Sequence, residues 1–183
     1  LFLITVPYLF RVLGSQNYGL IIFAQTIAFY FTIFINFGFN LTATRDISVN
    51  RDKKEKISEI ISSVLQIKLF LFLISFAIML VMVFIVNELV SNWKLFIFSM
   101  IACLSEALFP LWYFQGIEKM KYITFINVTA RVLATAAVFV VINNSERYYY
   151  YPLIMGAGTF AGAIAALVVV FNSHKNRFVF QPL

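Results

Sequence analysis

Charge is scarce in this chain. Only 12% of its residues are charged, against about 25% in an ordinary soluble domain, so there is too little polar side chain to cover a water-facing surface. That excludes a soluble enzyme or a soluble binding domain. Cysteine is almost missing: Cys103 stands alone in an apolar run, so no disulfide within the chain is possible. The G-x-x-x-x-G-K-S/T phosphate loop, the H-E-x-x-H zinc motif and any cluster of metal ligands are all absent,. His174 is the single histidine and reads as a solvated residue near the end of the chain. No cofactor is expected. Sustained alternation of apolar and polar residues, the mark of a membrane β-barrel, is also missing.

What remains is apolar sequence in long runs. Hydrophobic residues make up 62% of the chain, Phe occurs 22 times and the mean hydropathy is +0.90. A bilayer core needs about 20 mostly apolar residues per spanning helix, and the backbone inside it must satisfy its own hydrogen bonds. The expected fold class is therefore all-α, a polytopic membrane bundle of about six transmembrane helices. The spans are expected at residues 1–10 (the tail of a first span), 18–41, 64–86, 93–114, 122–142 and 152–171. Residues 42–63, the densest charge in the chain, read as a loop. The chain opens at Leu1 rather than Met and closes on Phe180-Gln181-Pro182-Leu183, which suggests a piece of something longer.

Loop charges set the orientation. Arg45, Arg51, Lys53, Lys54, Lys56, Lys119, Lys121, Lys175 and Arg177 follow the even-numbered spans; only Arg11, Lys94 and Arg147 lie in the opposite loops. Cytoplasmic loops are the ones rich in Lys and Arg, so the even loops face the cytoplasm. The net charge of +6 then suits anionic lipid headgroups rather than nucleic acid. The tyrosine run before span six fits an aromatic belt at headgroup level.

Ionisable residues at bilayer depth are costly, and they usually face a bundle interior or a water-filled cavity. Lys68 lies near the cytoplasmic start of span three and is expected to snorkel to the headgroups. Glu106 and Arg131 lie deeper. At about 1.5 Å per residue both are roughly 12–14 Å from the cytoplasmic boundary, on consecutive antiparallel spans. They can meet as a buried packing pair. Alternatively, Arg131 offers a fixed cation to an anionic substrate with Glu106 as a protonatable, ion-coupling partner. Polar residues also recur at helical spacing. Gln25, Thr32, Asn36 and Asn40 do so in span two, and Ser99, Cys103, Glu106, Pro110 and Tyr113 in span four, where Pro110 is placed to kink the helix. In span five the stripe is Thr124, Asn127, Arg131 and Thr135. Three polar stripes with a mid-membrane arginine favour a hydrophilic cavity over interhelical hydrogen bonding alone. Gly158 and Gly162 form a small-xxx-small pattern that reads as close packing within the chain. The three Asn-x-Ser/Thr triplets read as chance, two of them abutting or entering spans.

Three stretches carry a resemblance. They are Pro7-Tyr8-Leu9-Phe10-Arg11-Val12-Leu13-Gly14 with Tyr18-Gly19-Leu20 and Phe23-Ala24, then Phe37-Gly38-Phe39-Asn40 with Ala43-Thr44-Arg45-Asp46-Ile47-Ser48, then Trp112-Tyr113-Phe114-Gln115-Gly116-Ile117-Glu118-Lys119-Met120. In combination they resemble the amino-terminal half of bacterial polysaccharide (O-antigen type) flippases of the multidrug/oligosaccharidyl-lipid/polysaccharide exporter superfamily. The resemblance implies one of two pseudo-symmetric lobes in the bacterial cytoplasmic (inner) membrane. It implies translocation of undecaprenyl-pyrophosphate-linked oligosaccharide for O-antigen, lipopolysaccharide or capsule synthesis by alternating access. Membrane lipids and polysaccharide polymerase components are the implied partners, and nucleic acid is not. With no ATP site in the chain, a proton or sodium gradient, or the substrate's own gradient, is the expected energy source. Arg11, Arg45 and Asp46 fall within the motifs. Arg11 and Arg45 can equally anchor span ends at the interface, and Asp46 can pair with a neighbouring base in its loop. Arg131 lies outside the motifs and stands on the depth argument. With Gln25, Asn36, Asn40 and Asn127 these arginines are the candidate substrate-binding residues. The rivals are an ion-coupled drug/cation antiporter of the same superfamily, expected to prefer acidic cavity residues, and a structural membrane subunit of an export machine. A membrane glycosyltransferase or polymerase of the pathway would need a larger extramembrane loop than any here.

Overall fold

The computed structural model describes residues 2–173, all in helices, short turns and tight loops. Expectations for His174, Lys175, Arg177 and the last residues lie outside that range. Five helical segments are long and apolar enough to cross a membrane: Thr5–Val49, Lys54–Ile85, Trp93–Gly116, Ile123–Val141 and Tyr150–Asn172. The bundle is all-α among the described residues, and the count of about six spans becomes five because the first two join.

Helix α1 runs Phe2–Asn36 and breaks at Gly14, where φ 77° and ψ 169° put the backbone in a region essentially reserved for glycine,. The gap between the spans expected at 1–10 and 18–41 is thus a single-residue break within one long helix. The chain bends again at Phe37 (φ 28°) and Gly38 (φ 81°) and enters α2, Phe39–Val49. Helix α3 (Lys54–Ile85) follows. The charged stretch 42–63 is therefore mostly helix rather than loop. Its charges lie on outward faces, while Ala43 and Ile47, one turn apart, are buried. Helix α4 (Asn87–Val90) is a single turn, and α5 spans Trp93–Leu108. Pro110 ends α5, since it cannot donate to the preceding turn, and α6 (Leu111–Gly116) restarts beyond it. Helix α7 (Met120–Val141), a 3₁₀ turn at Ser145–Arg147 and α8 (Tyr150–Ser173) complete the order.

Two apolar cores hold the helices together. One joins α1, the far half of α3, α5 along its length and the ends of α7 and α8 nearest the tyrosine run, through Leu9, Ile21, Met79, Phe96, Met100, Val138 and Tyr151. The other joins α2, the near half of α3, α6 and the far half of α8, through Ile47, Ile61, Leu65, Trp112, Phe114 and Val170. The first core follows α5 through Cys103 to Ala107, so Glu106 lies beside it. Large apolar side chains elsewhere face outward, among them Phe84, Phe125 and Val140, as a lipid-facing surface requires. At the rim, the Tyr148 hydroxyl donates to Asn92 Oδ1 at 2.7 Å, and Lys94 lies over the Trp93 and Tyr149 rings.

The family-like stretches turn out to touch one another. Thr44 Oγ1 lies 3.3 Å from the Trp112 carbonyl and 3.2 Å from Gln115 Oε1. Gly116 packs so closely on Ile47 that a β-carbon there would lie 2.5 Å from Ile47 Cγ2. Arg51 donates to the Gly116 carbonyl and pairs with Glu118, both at 2.9 Å. These motifs dock α2 onto α6. Gly158 and Gly162 serve α7–α8 packing: a β-carbon on Gly158 would lie 2.5 Å from Ala134 Cβ, and one on Gly162 would lie 3.3 Å from Ala130 Cβ.

Candidate functional site

Two contiguous cavities open along the bundle. One, of about 230 Å³, is lined by Gln25, Thr32, Ser99, Met155 and Thr159 among others. The second, of about 350 Å³, is lined by Thr32, Ser105, Glu106, Asn127, Arg131 and Thr159 among others. They share Thr32, Ala102 and Thr159, so together they make one cleft. It runs from the first turns of α5 to the Pro110 break, with walls from α1, α5, α7 and α8. Its charged end is the one nearer the side that the basic loops place in the cytoplasm.

Local sequence explains each wall. Helix spacing sets Asn127 and Arg131 one turn apart on α7. Glu106 sits in the last turn of α5, where its half-buried carboxylate accepts from Asn36 Nδ2 at 3.3 Å. Ser105 donates to the Ile101 carbonyl at 2.8 Å and receives Thr159 Oγ1 at 3.1 Å, tying α5 to α8 at the cleft floor. Such back-bonding satisfies hydroxyls that could not otherwise be buried.

Depth matching brings Glu106 and Arg131 into the same cavity, but not into an ion pair. The ion pairs among the described residues are Arg51–Glu118 and Lys56–Glu59. Arg131 is exposed into the open cleft. Gln25, Asn127 and Arg131 line the cleft directly, and Asn36 joins through Glu106. Asn40 does not continue the α1 stripe, because the bend at Phe37 and Gly38 moves it onto α2. Arg11 and Arg45 are exposed on α1 and α2 and line neither cavity. Asp46 is exposed on α2 and belongs to neither ion pair. Cys103 is consumed in packing, its Sγ donating to the Ala28 carbonyl at 3.1 Å. Tyr113 is buried in the second core.

Lys68 overturns its expectation. It is fully buried, and its Nζ donates to the Glu106 main-chain carbonyl at 2.8 Å. Helix α3 begins at Lys54, ten residues before the apolar run, so Lys68 lies about 21 Å along it rather than near its end,. Its side chain points at α5 instead of the headgroups. Outside the membrane segments, the Arg51 guanidinium holds the Glu118 carboxyl below its usual range, through their hydrogen bond and then their charges.

Among the described residues no group of three or more His, Cys, Asp or Glu is placed to hold a metal ion. The cleft offers amides, hydroxyls, one guanidinium and one carboxylate, a set suited to binding an anionic, hydroxyl-rich molecule.

A protein of Escherichia coli named "Putative O-antigen transporter" is 32% identical over 171 residues, which is 93% of this chain and 41% of that protein. One of the same name from Shigella dysenteriae is 28% identical over 175 residues, 96% of this chain and 43% of its own length. The chain thus spans about two fifths of the curated relatives it matches. No solved structure matches it. With five apolar spans and these relatives, it is a multi-pass protein of the bacterial inner membrane. The family described as polysaccharide biosynthesis protein matches residues 1–183, and the chain belongs to that family.

Proposed function

We propose that this chain forms the amino-terminal lobe of a flippase that moves undecaprenyl-pyrophosphate-linked oligosaccharide repeat units to the outer leaflet by alternating access. It is a transporter rather than an enzyme. The observation that carries the reading is Arg131, a permanent cation within a membrane-spanning helix, exposed into a cleft and outside ion-pairing reach of the carboxylate that shares it. A charge kept at that depth without an ion-pair partner is costly, and an anionic cargo offsets that cost. Arginine presents a planar fork that engages a pyrophosphate bidentately. Gln25 and Asn127 supply amide partners for sugar hydroxyls, and Asn36 acts by holding the Glu106 carboxylate. The second lobe closes the cleft, and Glu106 is the group through which a proton or sodium gradient would couple.

The test is complementation with the full-length gene in a flippase-deficient strain carrying a compatible repeat-unit pathway. Arg131→Ala, at matched membrane abundance, is expected to lower surface polysaccharide about 10- to 100-fold, the loss of one charge-assisted contact. Arg131→Lys is expected to restore part of it. Full restoration by Arg131→Ala would return the residue to packing. No restoration by the wild-type gene, with insertion and substrate pool verified, would sink the flippase reading for that repeat unit.

A further inference from the structure

In an unbroken α-helix the carbonyl of Glu106 would accept the backbone N–H of residue 110. Residue 110 is proline and has none. The last regular bond of α5 runs from Phe109 N to the Ser105 carbonyl at 2.9 Å, and Leu111 N turns back to the Phe109 carbonyl at 3.0 Å. Main-chain donors around the break therefore go elsewhere. The donor that reaches the Glu106 carbonyl is Lys68 Nζ, from a different helix. A carbonyl on the α3-facing side of α5, turned into the bundle rather than the cleft, is costly to leave without a donor,.

We propose that Lys68 is a positioning residue of the cleft: its ammonium replaces the main-chain donor that Pro110 removes, and so fixes the helix break that presents Glu106 to the cavity. Glu106 is then gripped twice, its carbonyl from α3 by Lys68 and its carboxylate from α1 by Asn36. Burying an ammonium completely is unfavourable in protein and in lipid alike, and an apolar side chain would pack into an α3–α5 contact without that penalty. The ammonium is compensated there by the Glu106 carbonyl it bonds and by the nearby Glu106 carboxylate, and of the two only the carbonyl bond depends on Pro110. Leu111, the first residue of α6, lines the same cavity as Glu106 and Arg131, so a break that shifts or straightens reshapes the charged end of the cleft. The significance for transport rests on the function proposed above; the hydrogen-bond substitution does not.

The proposal predicts that the effect of losing Lys68 depends on the proline. In the full-length protein, Lys68→Met is expected to raise the unfolded fraction on heating in detergent about tenfold, the consequence of an unsatisfied buried carbonyl. In a Pro110→Ala background, where alanine restores the N–H, the same substitution is expected to change it less than about twofold. A second readout follows position: with Leu111→Cys in a Cys103→Ser background, the rate of modification by an impermeant thiol reagent should change several-fold on Lys68→Met and stay near the reference on Lys68→Arg. Equal loss of stability in both backgrounds would overturn the replacement of the missing donor. Lost stability with unchanged labelling would leave Lys68 a packing residue and overturn its positioning role. Should Lys68→Met fail to accumulate, the double variant with Pro110→Ala must accumulate, and failure of both sinks the idea. None of these readouts needs transport, so they remain decisive if the flippase reading fails.

Discussion

Gly116→Ala is the sharpest test of how the fold is held on its charged side. The added β-carbon would sit 2.5 Å from Ile47 Cγ2, 2.7 Å from Ile47 Cβ and 3.0 Å from the Thr44 carbonyl oxygen. Two of these three neighbours are fixed to the α2 backbone, so no rotamer change relieves the clash. Helix α2 must move away from α6, stretching the Thr44 contacts to Trp112 and Gln115 and the Arg51 bond to the Gly116 carbonyl. Overpacking of this kind costs about 1–3 kcal/mol. Because α2 is short and has only Ala43 and Ile47 buried among its side chains, the cost falls on its local docking rather than on the whole bundle. Each 1.4 kcal/mol is about tenfold in an equilibrium constant. Amide hydrogen exchange across residues 43–49 of the full-length protein should therefore accelerate roughly 5- to 150-fold, with α5 and α8 unchanged. Adding Ile47→Ala relieves only part, since the Ile47 β-carbon and the Thr44 carbonyl remain. Gly19→Ala is the control, because nothing lies within 4 Å of its added carbon. Exchange in α2 unchanged within twofold on Gly116→Ala would refute the docking described here.

The α7–α8 contact should discriminate between two glycines a single turn apart. Gly158→Ala brings a carbon to 2.5 Å from Ala134 Cβ, whereas Gly162→Ala meets Ala130 Cβ at 3.3 Å; the first should lower thermal stability in detergent by about 1–3 kcal/mol and the second by well under 1. Equal effects would mean the helices are not seated as described. The Arg51–Glu118 pair has a pH signature: because Arg51 lowers the folded-state carboxyl, its contribution is present above about pH 4.5 and lost as pH falls through the lowered value,. Glu118→Gln should abolish that dependence, and high salt should weaken it, since both side chains are substantially exposed,; a Glu118 titration at its ordinary value would remove the pair.

The sequence discloses the spans because a bilayer demands long apolar runs and little else. It hides whatever depends on where a helix begins and how it is rotated. Helix α2 reads as loop because its charges outnumber its two buried residues, and only contact with α6, some seventy residues on, makes it worth forming. The snorkelling expected of Lys68 fails for the same reason: depth counted from the apolar run at Val64 ignores the polar turns from Lys54 that precede it. Spacing alone puts Asn40 on the stripe of Gln25 and Asn36, but Gly38 between them bends the chain and moves it onto α2. Glu106 and Arg131 were matched correctly in depth, which follows from residue counting. Whether they pair depends on side-chain direction, which counting does not give.

A separation of tasks explains why the legible part of this protein is not the informative part. The stretches that resemble flippases contain Gly14, Gly38, Thr44, Ile47, Trp112 and Gly116, and their work is to break helices at fixed points and to dock α2 on α6. Glu106, Asn127 and Arg131, which share the charged cavity, lie outside those stretches. Breaks and close contacts tolerate few residue types, because a positive φ or a 2.5 Å approach admits little but glycine. A cleft wall tolerates many, because a sugar hydroxyl is satisfied by Asn, Gln, Thr or Ser alike. Packing positions are therefore more tightly constrained in residue type than cleft positions. The family resemblance then speaks for the scaffold, and under the function proposed above, exchanging Gln25, Asn127 and Arg131, which line the cleft, is expected to alter cargo preference while leaving thermal stability in detergent near the reference.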